Sequence, residues 1–297
     1  MATATRFADP TAPCYVPPMV IGIDFGLTVT DALAVDEGTV AAHAALARPG
    51  VASVEVIDAA LDALGVPTSA VERLAVSGGR SRLLPDEHRG WPIVKVEEPV
   101  ATAVGGLALS GVERALVVSC GTGTAMIDAD AHSGRYTHVT GTPVGGGTLE
   151  GLGSLLVGAA DARSVAAAAA VGNASNVDTT LGDVLGGALG GLPPSATAVS
   201  FGRIGSLDDR PADSDIAAGL CVMVAQTIGL LALNTAKAIG VDQVVLVGRV
   251  AQLPVISRMV AAVFGVYRFP SPPLFPDHGE RATALGAALH AGVSLPV

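Results

Sequence analysis

The sequence predicts an α/β protein built from two similar halves that face each other across a ligand cleft. Three observations predict it. A strand–glycine turn–strand unit occurs twice, as MVIGIDFGLTVTDALAVDEG from Met19 and as ERALVVSCGTGTAMIDAD from Glu113. After each unit, apolar residues recur alternately at strand and helix spacing. The chain is 50% hydrophobic but only 3% aromatic, so its core consists mainly of Ala, Val and Leu. Such a core suits helices packed closely on parallel strands.

The elements follow in order. The start, MATATRFADPTAPCYVPP, lacks the basic and apolar regions of a signal peptide and reads as a disordered tail over residues 1–18. The N-terminal α/β half is expected over residues 19–105. It comprises the first two strands around their turn and a helix, VEVIDAALDALG, stopped by Gly65. There follow a strand VERLAVSGG, a loop SRLLPDEHRGWP, a strand IVKVEEP and a helix ATAVGGLALSG. The C-terminal α/β half, residues 106–297, repeats the hairpin, and the triple glycine Gly145–Gly147 leads into a helix. A mostly helical stretch from Asp161 to Gly191 and a loop LPPSATAVSFG come next. Then follow a long helix from Asp213 to Gly240, a buried strand DQVVLVGRV, a helix from Pro254 to Phe264 and a last helix GERATALGAALHAG.

Composition excludes several classes. The formal net charge is −10 and no basic run occurs, which argues against nucleic acid as a partner. Cys14, Cys120 and Cys221 are far apart and form no CxxC pair, so neither zinc nor a disulfide framework is expected. The apolar segment Ile216–Leu233 has the length of a membrane span. Gln226 interrupts it and Asn234 and Lys237 follow at once, so it reads as a buried core helix. A soluble, cytoplasmic protein without a membrane partner is expected.

Four glycine motifs carry the chemistry. DFGLT places Asp24 at a strand end beside a turn, and CGTGT repeats the turn with hydroxyls interleaved. GGGTLEGL sets glycines before a helix, whose free N–H groups and positive dipole end attract phosphate. VVLVGR ends a buried strand on Gly248, where backbone can approach a flat ring. Each glycine alone reads equally well as turn geometry. There is no GxxxxGK[ST] phosphate loop, and no GxGxxG where a dinucleotide fingerprint requires it.

In this order the four motifs resemble the two phosphate hairpins and the adenosine motif of the superfamily of acetate and sugar kinases, heat-shock-70 proteins and actin. SGGRSRLL, VKVEEPVATAVGG, SCGTGT, HVTGTPVGGGTLEGLGSLL, GDVLGG, LPPSATAVSFG and GERATALGAAL narrow the resemblance to the type II pantothenate kinases, over about residues 19–291. The resemblance implies duplicated ribonuclease-H-like halves of the actin-like ATPase kind, with an ATP cleft between them. It also implies an ATP- and Mg²⁺-dependent kinase of the pantothenate primary hydroxyl, and a homodimer. The apolar stretch Met223–Leu233 is a candidate interface, although core burial reads the same in sequence.

On this resemblance Glu98 of the V-x-E motif is the catalytic base, with Glu97 as its rival in register. Asp24 is the Mg²⁺ candidate, through waters. Gly26, Thr28, Gly121, Thr122, Gly123 and Thr124 are expected at the phosphates, Gly146, Gly147 and Thr148 by the nucleotide, and Gly248 near adenine. His138, Thr140 and Gly141 are substrate candidates. The family has an arginine where this chain has His138, and Arg135 or Arg80 is a candidate cation for the substrate carboxylate, though neither matches the motif position. Two further departures are Leu27 for a second glycine and Asp31 for a lysine. An acid there repels phosphates unless it faces away. These departures motivate two other readings, a kinase of another small alcohol and a weakly catalytic nucleotide-binding regulator. An activator of a dehydratase is a more distant reading, because Cys120 has no partner cysteine nearby with which to hold an iron–sulfur cluster.

Overall fold

A computed structural model describes residues 18–47 and 50–292, so the expected tail, but for Pro18, lies outside the described residues. The first half opens with β1 (Met19–Phe25), β2 (Val29–Asp36) and β3 (Thr39–Ala47), an antiparallel meander. The helix α1 (Val54–Leu64) follows, and then β4 (Val71–Ser77), β5 (Glu87–His88), β6 (Trp91–Lys95) and α2 (Glu98–Ser110). β4 runs parallel to β1, giving the sheet order β3-β2-β1-β4-β6-β5. Ser53 caps α1 by accepting from the Val56 amide, and Gly65 ends the helix in the left-handed region at φ 65°. The buried α1 residues Ile57, Ala60 and Leu61 pack on Ile21, Ile23, Leu74 and Val76 of the sheet.

The second half repeats the scheme. β7 (Arg114–Cys120), β8 (Thr124–Asp130) and β9 (Arg135–Thr142) form the meander, followed by α3 (Gly146–Val157) and α4 (Ala162–Ala169). Next come β10 (Thr179–Thr180), α5 (Leu181–Leu185) and β11 (Thr197–Val199), a small outlying ribbon. The half ends with α6 (Asp213–Ile239), β12 (Val244–Val247), α7 (Pro254–Val266) and α8 (Ala282–His290). β12 is parallel to β7, and the order β12-β7-β8-β9 matches β4-β1-β2-β3 strand for strand. The duplication expected from the two glycine hairpins is thus present as equal topology.

The packing does not follow the chain at residues 105/106. Ala103 and Leu107 of α2, which leaves the first sheet, pack on Ala115, Val117, Ile127, Val245 and Val247 of the second. The last helix, α8, returns to the first sheet, where Ala284, Leu285 and Ala288 meet Val20, Leu33, Val35 and Ala75. The two helices cross between the halves with almost no side chain in the way. A Cβ on Gly105 would lie 1.8 Å from the Ala282 carbonyl, and one on Gly286 would lie 1.8 Å from that of Ala101. Thr102 and Thr283 share a 2.9 Å hydroxyl hydrogen bond at the crossing.

Some local expectations change. β3 was not foreseen, because TVAAHAALA lacks strand-like alternation; it is a strand because β2 offers it a ladder. The loop before Trp91 contains β5, and the region 161–191, expected to be mostly helical, holds a strand and two short helices among turns. The expected loop LPPSATAVSFG contains β11. The apolar helix α6 is long enough to cross a membrane, but 72% of its most apolar window is buried in the protein. Val224, Ala225, Ile228, Ala232 and Leu233 fill the core of the second half, while Met223, Leu230 and Leu231 of the stretch offered as a dimer interface remain half-buried.

Gly286→Val is expected to lower stability by about 3 kcal/mol or to abolish folding, because the intruding methyls meet backbone that cannot retreat. Gly187→Val, where a Cβ meets nothing within 4 Å, is expected to leave the thermal midpoint nearly unchanged. Thermal and urea denaturation of both variants checks this.

Candidate active site

The first hairpin is shaped around Asp24. This residue lies near the end of β1, directly opposite Asp31 on β2 and Ser77 on β4. Gly78, at φ 75°, lies against its carboxylate: a Cβ there would come 2.4 Å from Asp24 Oδ1. Only glycine meets both the left-handed backbone and the missing space. The Gly26 amide donates to the Asp24 carbonyl at 3.1 Å, and a Gly26 Cβ would lie 2.5 Å from the Val29 carbonyl, so this turn also needs its glycine. Leu27 at the tip is 82% exposed.

The second hairpin is fixed by α3. The Gly146 amide donates to the Gly121 carbonyl at 2.8 Å, and the Gly147 amide to the Thr122 carbonyl at 2.9 Å. Cβ atoms on Gly145, Gly146 and Gly147 would fall 2.7–3.0 Å from Gly121, Thr122, Gly123 or Val250 atoms. The triple glycine therefore lets a helix start dock backbone-to-backbone on the hairpin. This corrects the expectation that its N–H groups are free, since those of Gly146 and Gly147 already have acceptors. The Thr148 hydroxyl accepts from the Gly145 amide at 3.2 Å, and the buried Thr124 hydroxyl donates to the Val144 carbonyl at 2.8 Å. Gly123 packs on the Thr142 carbonyl, and Gly141 on that of Thr124. Gly248, at φ 92°, stands over the root of the same hairpin, where a Cβ would lie 2.5 Å from the Cys120 carbonyl.

The two hairpin tips meet across the cleft, with Thr28 Oγ1 and Thr122 Oγ1 3.4 Å apart. Leu27, Thr28 and Gly50 on one side and Glu150 of α3 on the other line an open depression of about 350 Å³. Glu98 is the first residue of α2; the residue as a whole is exposed, but partial desolvation of its carboxyl at the helix start raises it above the ordinary glutamate value. Asp24 is raised much further, first by burial and then by the charges of Glu98 and Asp31, while Arg249 opposes the rise. Glu98, rather than Glu97, is therefore the glutamate whose charge reaches Asp24.

Asp31 turns from its expected role. Its side chain is 5% exposed, with Arg249 Nη2 at 2.7 and 2.6 Å from the two carboxylate oxygens and His43 Nε2 at 3.2 Å from Oδ1. The acid that replaces a lysine is thus neutralised from the other half of the protein. His138 lies on the edge strand β9 opposite Ile127, whose side chain packs toward α2; His138 is exposed, and Thr140 pairs with Met126. Arg80 is exposed on the turn after β4, beside Gly79, which packs on the Phe25 carbonyl. The structure thus gathers Asp24, Glu98 and the two hairpins at one cleft. Neither His138 nor Arg80 makes a hydrogen bond or ion pair with these groups among the described residues. Sequence reasoning missed Arg249, His43 and Gly78. Arg249 follows Gly248 immediately, but its partner is 218 residues away in sequence.

Two glycine hairpins on duplicated sheets, with carboxylates at the cleft between them, define a nucleotide-binding protein of the actin-like ATPase fold. The activator of 2-hydroxyisocaproyl-CoA dehydratase from Clostridium difficile, solved with bound ADPNP, shares this fold at TM-score 0.65 and 20% identity, over 92% of this chain and 94% of that one. A ROK family glucokinase from Streptomyces griseus, solved with glucose and AMPPNP, does so at TM-score 0.57 and 17% identity, over 92% and 100% of the two chains. More narrowly, the sequence profile of the Fumble family matches residues 114–290. The chain belongs to that family, which is the family of the type II pantothenate kinases. The type II pantothenate kinase of Bacillus thuringiensis subsp. konkukian is 28% identical over 230 residues, 74% of this chain and 81% of that protein.

The raised Asp24 carboxyl makes a signed prediction. A carboxyl whose folded pKa exceeds its unfolded one destabilises the fold as pH rises past the unfolded value. Asp24→Asn is therefore expected to raise the thermal midpoint of the nucleotide-free protein, by more at pH 8 than at pH 5. Equal midpoints at both values in paired melts would contradict it.

Proposed function

We propose that the chain transfers the γ-phosphoryl group of ATP to the primary hydroxyl of pantothenate, with Glu98 as general base. The observation that carries this reading is the placement of Glu98: it shares a cleft with Asp24, and the phosphate hairpins close on each other at Thr28 and Thr122. Membership of the Fumble family supports the substrate. Partial desolvation keeps the Glu98 carboxyl more basic than a free glutamate, which favours its taking up an alcohol proton.

Asp24 fits Mg²⁺. It is a single carboxylate at a strand end beside a phosphate hairpin, and magnesium takes one or two carboxylates while keeping several waters. When bound, the ion would neutralise charge on the phosphates. Gly26 and Gly121–Gly123 let backbone come close to the phosphate chain, and the hydroxyls of Thr28 and Thr122 border it from both halves. Glu98 accepts the proton of the attacking hydroxyl. His138 stands where the family has an arginine, and its imidazole offers a hydrogen bond to an acceptor without the planar fork of a guanidinium.

That exposed histidine also favours a second reading, a kinase for another small primary alcohol. Asp31 gives less ground for the regulator reading, since its charge is already paired with Arg249.

Glu98→Gln is expected to reduce turnover of pantothenate by about 100-fold or more while ATP still binds, whereas Glu97→Gln stays close to the original rate. Turnover by the unsubstituted protein should rise with pH through an apparent pKa above that of an ordinary glutamate. Steady-state kinetics with Mg-ATP and a panel of small alcohols tests both readings. Full activity of Glu98→Gln removes the base, and an inert pantothenate beside a reactive alcohol replaces the substrate.

A further inference from the structure

The pairing of Asp31 with Arg249 does more than cancel an awkward charge. Asp24 and Asp31 are directly opposed on β1 and β2, and like charges in that position repel. A cation is needed there, and it comes from the other half of the protein. Arg249 leaves the chain just beyond Gly248, whose backbone packs on Cys120 at the root of the second hairpin. The Val250 amide fixes the same turn by donating to the Cys120 carbonyl at 3.1 Å. From there the side chain reaches across the cleft floor to β2.

Both contacts to Asp31 use a single guanidinium nitrogen, Nη2. Among the described residues Nη1 and Nε donate no hydrogen bond, and the side chain remains 42% exposed although its partner carboxylate is only 5% exposed. An arginine held at one nitrogen, 42% exposed, with its remaining donors unused among the described residues and its charge felt at Asp24, is set to receive an anion. Its planar fork suits phosphate oxygens.

We propose that Arg249 is a phosphate-binding residue for the nucleotide, delivered across the cleft from the second half and positioned by Asp31. The cation thus comes from the turn after β12, and the carboxylate on β2 holds it. The inference deepens the kinase reading and rests on it for the identity of the ligand. The same arrangement ties both halves to one phosphate chain, so nucleotide and Asp31 hold the arginine together.

Calorimetry with Mg-ATP and, separately, with adenosine on the full chain tests this. Arg249→Gln is expected to weaken ATP about tenfold, the loss of one charge-assisted contact, with adenosine affinity unchanged. Asp31→Asn, which frees the arginine from its anchor, should weaken ATP by a smaller factor. The double variant Asp31→Lys/Arg249→Gln restores a cation without restoring the ion pair, and is expected to recover most of the ATP affinity. A pair that merely latches the halves would be lost in that double variant and would give no recovery. If Arg249→Gln does not fold, Arg249→Lys carries the same comparison, with ATP weakened and adenosine unaffected. ATP binding by the arginine variant at the unsubstituted level, or no recovery in the double variant, overturns the proposal. A protein that binds ATP in this pattern but phosphorylates no alcohol overturns the kinase reading alone.

Discussion

The architecture depends on one contact, the crossing of α2 and α8 at Gly105 and Gly286. Each helix has left the sheet that precedes it in the chain and covers the sheet of the other half. The exchange is feasible only because backbone meets backbone, with carbonyls occupying the space where Cβ atoms would stand. The start of α2 at the cleft is positioned through this crossing, while the two hairpins are fixed locally. Glu98 begins α2, so its carboxylate is set by a helix seated on the second sheet, while Asp24 belongs to the first sheet, against which α8 lies. The proposed base and the proposed metal ligand thus sit on elements from the two sides of that crossing.

Electrostatics then shapes the cleft floor. Asp31 and Glu98 both act on the Asp24 carboxyl there, and Arg249 is in contact with Asp31. Burial and like charge both push Asp24 upward. The nucleotide-free fold is strained at this point in the sense that a neutral side chain would suit it better. Sites that bind cations and phosphates commonly carry such a cost in stability. Cys120 and Cys221 are the opposite case: both thiols are buried and pushed up to about 12, which leaves them protonated packing groups. The likeness to a dehydratase activator is therefore one of fold; neither of these cysteines stands at a surface where a metal cluster could be shared.

Much of this was legible in the sequence because it is local. Strand ends marked by glycine, an acid at the end of β1 and the repeat of the unit after ninety residues or so all lie within short windows, and the topology follows from them. What stayed hidden is relational. β3 is a strand because β2 is beside it; its own alanine-rich sequence does not say so. Asp31 looked like a misplaced acid, and only the folded chain brings Arg249 to it. Gly78 had no reading of its own within SGGRSRLL, and its neighbour in the fold is the Asp24 carboxylate. His138 lies within β9, and its place on an edge strand alone does not say what it touches.

The triple glycine has a consequence for the entropy of ligand binding. Many phosphate loops are ordered only when an anion arrives, and part of the affinity is then lost to fixing the loop. Here Gly146 and Gly147 donate to the carbonyls of the second hairpin, so that hairpin is already in place and α3 already has acceptors for its first amides. Its ordering belongs to folding. A nucleotide seated between the hairpins as proposed would meet one wall already hydrogen-bonded to α3 and, at the other, the exposed Leu27 tip, so more of the ordering cost would fall on the first hairpin.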